Sequence, residues 1–415
     1  MKRRSAQGKR RVRRDVGWRK IKGGVTAPQG YLAAGVAAGI KDHGLDLAVL
    51  LSSQPSVGAA VFTTNQVQGA PVVLSKKHLK SSGGRVRAVV INSGCANACT
   101  GEKGMRDALL SVRCLASHLK LDPREVLVAS TGVIGVALPI HNLLKGISTA
   151  ASAISSRGGD PAAQAIMTTD THAKTCAVET QIAGKRVRIG GMAKGSGMIH
   201  PNLATMLSFI STDARISAKQ LDRIFRRVVE RTFNCLTVDG DTSTNDMVLI
   251  IANGASGVKI DAGLEARFEA GLERVCEELA KSIARDGEGA SKLIEIQVQG
   301  ARSFPDARRV AKSIAHSPLV KAAFYGEELN WGRILCAAGY SGVMFDSERV
   351  ALSIGRVPVF RRGAPVLSGK ARAERALKSS TILVELDLGE GNHSARVWTC
   401  DLTHGYVDIN ASYIS

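Results

Sequence analysis

Gly190-Gly191-Met192-Ala193-Lys194-Gly195-Ser196-Gly197-Met198-Ile199-His200-Pro201-Asn202-Leu203-Ala204-Thr205-Met206-Leu207 is the stretch of this 415-residue chain from which the rest is read. Glycines surround a single Lys, a Pro-Asn pair follows, and at Ala204-Thr205 the chain meets an apolar, strand-like run from Met206 to Ile210. Glycine lets backbone approach a ligand or another segment closely, and Pro-Asn punctuates a turn. The segment reads as a flexible glycine loop running into a buried strand. A hydroxyl at such a junction is held in one place, as a nucleophile must be, and Thr205 is the candidate. By position alone it is more simply a β-branched residue opening a strand.

Outward from this stretch the chain alternates between two periodicities. Strand-like segments fall at 45–52, 59–64, 86–92, 126–130, 175–182, 187–191, 206–211 and 247–252. Helix-like segments fall at 104–120, 140–155, 217–232 and 264–285, the last two with apolar residues three and four apart. A strand at 292–299, helices at 306–316 and 331–339, and strands near 350–354, 381–388 and 394–400 follow. The fold class is therefore mixed α/β. Alternation alone does not separate a Rossmann-like sheet from a layered sandwich. The length predicts two domains or two intimately packed lobes.

Composition excludes several classes. Hydrophobic residues make up 44% and charged residues 22%, as in ordinary soluble proteins. No apolar run approaches the roughly 20 residues of a membrane span, and no secretory apolar region follows the first basic residues. A soluble, cytoplasmic protein is expected. The eight cysteines are scattered, only Cys95 and Cys99 standing close, so buried thiols in a reducing compartment are expected rather than disulfides or a structural zinc. The nine histidines form no HxxxH pattern. Asp239 to Asp246 has the acid density of a calcium loop but lacks the Glu at its twelfth position, and reads as a polar active-site or structural turn. No metal is expected.

The formal net charge is +20, and residues 1–22 carry half of it, with eleven Lys/Arg against Asp15. That tail is expected to be a solvated, disordered extension. One alternative is a nucleic-acid-binding arm, which a 4% aromatic content supports poorly because few rings are available for base stacking. Another is an organellar presequence, Arg-rich and acid-poor, which a single Ser, Ser5, supports poorly. The basic body would concentrate acidic substrates near its surface.

The segment 194–207 resembles the KGxGMIxPNxATML block of the ornithine acetyltransferases, also called glutamate N-acetyltransferases, of arginine biosynthesis. The resemblance continues in family order through Gly23-Gly24-Val25-Thr26-Ala27-Pro28, Asn92-Ser93-Gly94, Ser130-Thr131-Gly132-Val133-Ile134-Gly135, Thr168-Thr169-Asp170-Thr171 and Thr237-Val238-Asp239-Gly240-Asp241-Thr242-Ser243-Thr244-Asn245-Asp246. Asp286-Gly287-Glu288-Gly289-Ala290, Asn330-Trp331-Gly332-Arg333-Ile334 and Ile409-Asn410-Ala411-Ser412-Tyr413-Ile414-Ser415 complete it. It implies a layered α/β sandwich with a second, smaller α/β domain. It also implies a precursor that cuts itself between Ala204 and Thr205, giving interlocked parts 23–204 and 205–415 that assemble as a heterotetramer.

The implied chemistry is acetyl transfer from N2-acetyl-L-ornithine to L-glutamate by a ping-pong cycle through an acetyl-Thr205 ester. A Thr hydroxyl needs a base, and its own α-amine serves once cleavage frees it. The resemblance assigns Thr131 and Gly132 to the oxyanion hole, which must donate where charge develops. It assigns Lys194, Glu288, Asn410, Ser415, Thr205 and a Thr of the 168–171 block to substrate binding. Within that block Thr171 is the choice and Thr169 the second. Lys194 suits a carboxylate and Glu288 an ammonium. No cofactor is implied, with acetyl-CoA as an additional donor substrate in bifunctional members. The alternative is a Thr-nucleophile amidohydrolase or aminopeptidase with water as acceptor. Cys95 for a usual Asn, Glu327-Glu328-Leu329 before Asn330, and Ser412 for a frequent acidic residue depart from the family pattern and bear only on fine substrate preference.

Overall fold

The computed structural model describes residues 17–200 and 206–412. Successive side chains of a strand point to opposite faces, and this chain buries both faces of two sheets. The larger is six-stranded, in the order Arg19–Ile21, Lys174–Ile182, Lys185–Lys194, Leu207–Thr212, Met247–Ala252, Val57–Phe62. The smaller has four strands, Tyr31–Val36, Leu47–Ser52, Ala88–Asn92 and Val126–Ser130. Leu207, Phe209, Met247, Leu249 and Ile251 meet Ala48, Leu50, Val89, Ile91, Leu127 and Ala129 in the core between them.

The alternate residues serve the outer layers. Ile210, Val248 and Ile250 pack with Leu221, Ile224, Phe225, Leu272, Val275 and Leu279 of helices Ala218–Arg231 and Glu265–Arg285. Leu47, Val49, Val90 and Val128 pack with Val112, Leu115, Leu143 and Ile147 of helices Gly101–Leu119 and Ile140–Ala153. The result is a helix–sheet–sheet–helix sandwich. A third sheet, ordered Ala364–Pro365, Val357–Arg361, Ala351–Ile354, Thr381–Asp387, Leu293–Ala301, His393–Cys400, adjoins it with four further helices. Its Ile296, Val384 and Val397 share one continuous core with helix Glu265–Arg285. Among the described residues no helix is long and apolar enough to cross a membrane.

The six-stranded sheet interleaves segments from either side of residue 204. Strand Met247–Ala252 lies between Leu207–Thr212, which it pairs in parallel, and Val57–Phe62, which it pairs antiparallel. Strand Leu207–Thr212 in turn pairs antiparallel with Lys185–Lys194. The expected glycine loop is thus strand through Lys194, and its glycines serve close packing. A Cβ at Gly190 would fall on the Gly24 carbonyl oxygen, and one at Gly191 would press on Leu279 at 2.9 Å.

The basic tail also ends sooner than residue 22. Trp18 is buried against Gly271 and its indole N–H donates to the Arg267 carbonyl at 2.9 Å. Residues 19–21 then pair with strand Lys174–Ile182. Burial of one aromatic ring outweighs the surrounding charge. Residues 1–16 lie outside the described residues.

Candidate active site

Several element ends converge on one pocket. Strand Val126–Ser130 delivers Thr131 and Gly132 to it, and strand Lys185–Lys194 ends at Lys194. Helix Glu265–Arg285 runs out into Glu288, and strand Met247–Ala252 is preceded there by Asn245 and Asp246. Thr168, Thr169, Met206 and Leu207 complete the wall, with Asn410 of helix His404–Ser412. The segment leaving residue 205 therefore starts at the pocket. Ala204, Thr205 and Ser415 lie outside the described residues.

Lys194 forms the cationic side. Its Nζ donates to Thr168 Oγ1 at 2.6 Å and Thr131 Oγ1 at 3.3 Å, and stands 3.9 Å from Asp170. Burial pulls its pKa below the usual lysine range, and Asp170 opposes that shift. The Asp170 side chain is itself fully covered. Burial pushes its carboxyl up, but Lys194, Lys174 and the Gly195 N–H outweigh burial and hold it at about 2. That N–H donates to Asp170 at 2.7 Å, fixing the backbone just beyond Lys194.

Glu288 forms the anionic side. Its carboxylate accepts from Thr169 Oγ1 at 2.7 Å and from Asn410 Nδ2 at 2.8 Å, and its backbone N–H donates to the Ser196 carbonyl at 3.0 Å. Gly197 has to be glycine because a Cβ there would overlap this carboxylate. The structure brings Thr168 and Thr169 to the pocket, whereas the backbone N–H and hydroxyl of Thr171 both donate to Asp286. Four alternating Thr and Asp residues carry no sequence signal for which side chain turns inward.

The turn after Ser130 is held from three directions. Asn92 Oδ1 accepts from the Ser130 hydroxyl at 2.6 Å, Asn245 Nδ2 donates to the Ser130 carbonyl at 3.0 Å, and the Thr131 N–H donates to the Asn92 carbonyl at 3.0 Å. Gly132 has φ +126°, and a Cβ there would fall on the Gly94 backbone. Only glycine adopts this turn without strain.

The acid-rich 239–246 segment is a structural turn and a pocket wall at once. The Asp239 carboxylate accepts from the N–H groups of Met198 and Ile199 at 2.6 and 2.8 Å, which ties down the chain entering Pro201. Among the described residues no group of three His, Cys, Asp or Glu side chains could hold a metal ion. The sequence reading passed over one group and named another only as the end of the acid-rich turn. Lys174 lies fully buried between Asp170 and Asp286, and Asp246 is buried in the pocket wall. No periodicity or spacing singles out Lys174.

A profile of the ArgJ family matches residues 32–415. The arginine biosynthesis bifunctional protein ArgJ of Symbiobacterium thermophilum is 51% identical over 399 residues, covering 95% of this chain and 99% of that protein. Its namesake from Parasynechococcus marenigrum is 49% identical over 397 residues, covering 95% and 96%. The solved ornithine acetyltransferase of Mycobacterium tuberculosis, complexed with ornithine, is 44% identical, covers 45% of this chain and 100% of that chain, and superposes with a TM-score of 0.42.

Proposed function

The chain belongs to the ArgJ family, and on that premise we propose that it is a self-cleaving acetyltransferase that moves acetyl from N2-acetyl-L-ornithine to L-glutamate. The observation that carries this reading is the pocket's pairing of Lys194 and Thr168 with Glu288, Thr169 and Asn410 at the start of the segment leaving residue 205. A cation suited to a carboxylate and an anion suited to an ammonium match an amino-acid substrate with two charged ends.

The cycle starts with the Thr205 hydroxyl attacking the Ala204 carbonyl. The resulting ester is hydrolysed, which frees the Thr205 α-amine to act as base. The hydroxyl then takes acetyl from acetylornithine, ornithine leaves, and the glutamate amine collects the acetyl group. Thr131 Oγ1 and the Gly132 N–H stabilise the oxyanion of each step. The Lys194 ammonium donates to Thr131 Oγ1 and so favours that hydroxyl turning its own proton toward the developing charge. Lys194 and Thr168 hold the substrate carboxylate, Glu288 holds the side-chain ammonium of ornithine, and Asn410 and Ser415 are further substrate contacts.

Acetyl-CoA is a second acetyl donor in this reading, and no metal or organic cofactor takes part. The cut parts 23–204 and 205–415 stay together as a heterotetramer in the cytoplasm. Supporting this, strands from both sides of residue 204 interleave in one sheet, so separation would break its centre. The test assays purified protein with acetylornithine, once with glutamate and once with water as the only acceptor. Acetylglutamate should form far faster than free acetate. Acetate formed equally fast in both would favour the amidohydrolase alternative instead.

A further inference from the structure

Two neighbouring threonines hold two residues at and just beyond the end of strand Lys185–Lys194. The Thr168 hydroxyl accepts from Lys194 Nζ at 2.6 Å. The Thr169 hydroxyl lies 2.6 Å from the Ser196 hydroxyl and 2.7 Å from Glu288 Oε1. Counting protons gives these last two bonds their direction. A hydroxyl has one hydrogen to donate, and an ionised carboxylate only accepts. Thr169 therefore gives its proton to Glu288, and Ser196, 1% exposed, gives its own to Thr169. The Ser196 carbonyl also accepts from the Glu288 backbone N–H at 3.0 Å. Ser196 thus grips Glu288 twice, once at its backbone and once through a hydroxyl chain whose members polarise one another. Asn410 Nδ2 takes the other carboxylate oxygen and also donates to the Tyr406 carbonyl at 2.9 Å.

Lys194 and Ser196 are two residues apart on one segment, and Thr168 and Thr169 are adjacent on the other. Cross-linked in this way, they form a closed frame with the Lys194 ammonium at one corner and the Glu288 carboxylate hung from the opposite one. We propose that Ser196 and Thr169 are positioning residues that set how long a substrate the site accepts, measured from α-carboxylate to side-chain ammonium. This rests on the acetylornithine reading above and extends it to a selection by length among N2-acetyl diamino acids. Neither hydroxyl has a proton left for the substrate, so both act through Glu288. A carboxylate tied at both oxygens and at its own backbone cannot follow a terminal nitrogen displaced by one methylene without breaking one of those bonds.

The test measures kcat and KM of the full-length protein with three donors, the N2-acetyl derivatives of 2,4-diaminobutyrate, ornithine and lysine, and with glutamate as acceptor. Cooperative thermal unfolding checks the folding of each variant. Wild type should prefer acetylornithine over either neighbour by at least about 10-fold in kcat/KM. T169V keeps the shape but loses the proton given to Glu288. Its KM for acetylornithine should rise about 10-fold or more, with kcat and the KM for glutamate little changed, and its preference among the three lengths should shrink. T169S keeps the hydroxyl and should keep the preference. S196A should loosen the preference in the same direction, and it carries the test alone if T169V does not fold. Because the two hydroxyls form one chain, adding S196A to T169V should cost less than S196A does by itself. A folded T169V, or a folded S196A standing in for it, with the wild-type length preference would overturn the proposal. So would equal KM increases for glutamate and acetylornithine, or a T169S as impaired as T169V. A wild type that transfers acetyl from none of the three donors would instead remove the acetylornithine reading itself.

Discussion

The Lys174 ammonium lies 2.5 Å from Asp286 and 2.6 Å from Asp170, with none of its side chain exposed. It joins the 168–171 loop, which supplies Thr168 and Thr169, to the helix end that leads into Glu288. The carboxylate side and the ammonium side of the pocket are thereby set at a fixed spacing. Breaking a buried ion pair from one side leaves uncompensated charge. K174M should therefore lower stability by about 3–5 kcal/mol, read as a shifted denaturant midpoint. In the folded fraction, KM for both substrates should rise.

Asp170 predicts a pH signature. Its carboxyl is held at about 2 in the folded chain against 3.8 for the ordinary group, the two lysines and the Gly195 N–H outweighing the opposing effect of burial. The unfolded chain binds the proton first as pH falls. This contribution to stability is therefore complete above about pH 4 and is lost as pH falls toward 2. Stability measured across that window should fall less steeply in D170N than in wild type, although D170N starts lower at neutral pH.

Gly132 tests the oxyanion hole. With φ at +126° and the Gly94 backbone against it, G132A must move the turn that presents its N–H. Loss of one oxyanion donor costs about 10²–10³ in kcat. G132A should show that loss in acetyl transfer, and slower self-cutting as well, because both reactions pass through an oxyanion.

Lys194 and Glu288 should separate in steady-state kinetics. A hydrogen bond to a charged group contributes about 1.5–3 kcal/mol, equivalent to roughly 10–100-fold in binding. K194M should raise KM for acetylornithine and for glutamate by that factor, since both carry the α-carboxylate. E288Q should fall mainly on acetylornithine, whose side chain carries the ammonium. Equal effects of E288Q on both substrates would contradict the assignment.

Much of the sandwich was legible because its strands are apolar runs and its outer helices carry clear stripes. Val126–Ser130, Met247–Ala252 and Trp331–Gly339 fall where the periodicity sets them. Strand Tyr31–Val36, with two Ala and one Gly, and helix His404–Ser412, with no buried residue, gave no such pattern. Lys194, Glu288, Thr131 and Gly132 were reached through motif resemblance, and the pocket gathers them. Lys174 was not reached, because a buried charge is defined by partners distant in sequence, Asp286 among them, and Asp246 was reached only as the end of the acid-rich turn. The inward turn of Thr168 rather than Thr171 depends in the same way on Lys194 and Asp286.

The most direct measurement is intact mass and N-terminal sequencing of the wild-type chain and of T205A, before and after acetylornithine. The account predicts that wild type arrives as pieces of 204 and 211 residues, 415 in all. The larger begins with Thr205, gains one acetyl group from acetylornithine and loses it to glutamate. T205A should stay whole and take up no acetyl. A whole wild-type chain with full transfer activity, or a T205A chain that is cut and turns over, would contradict it.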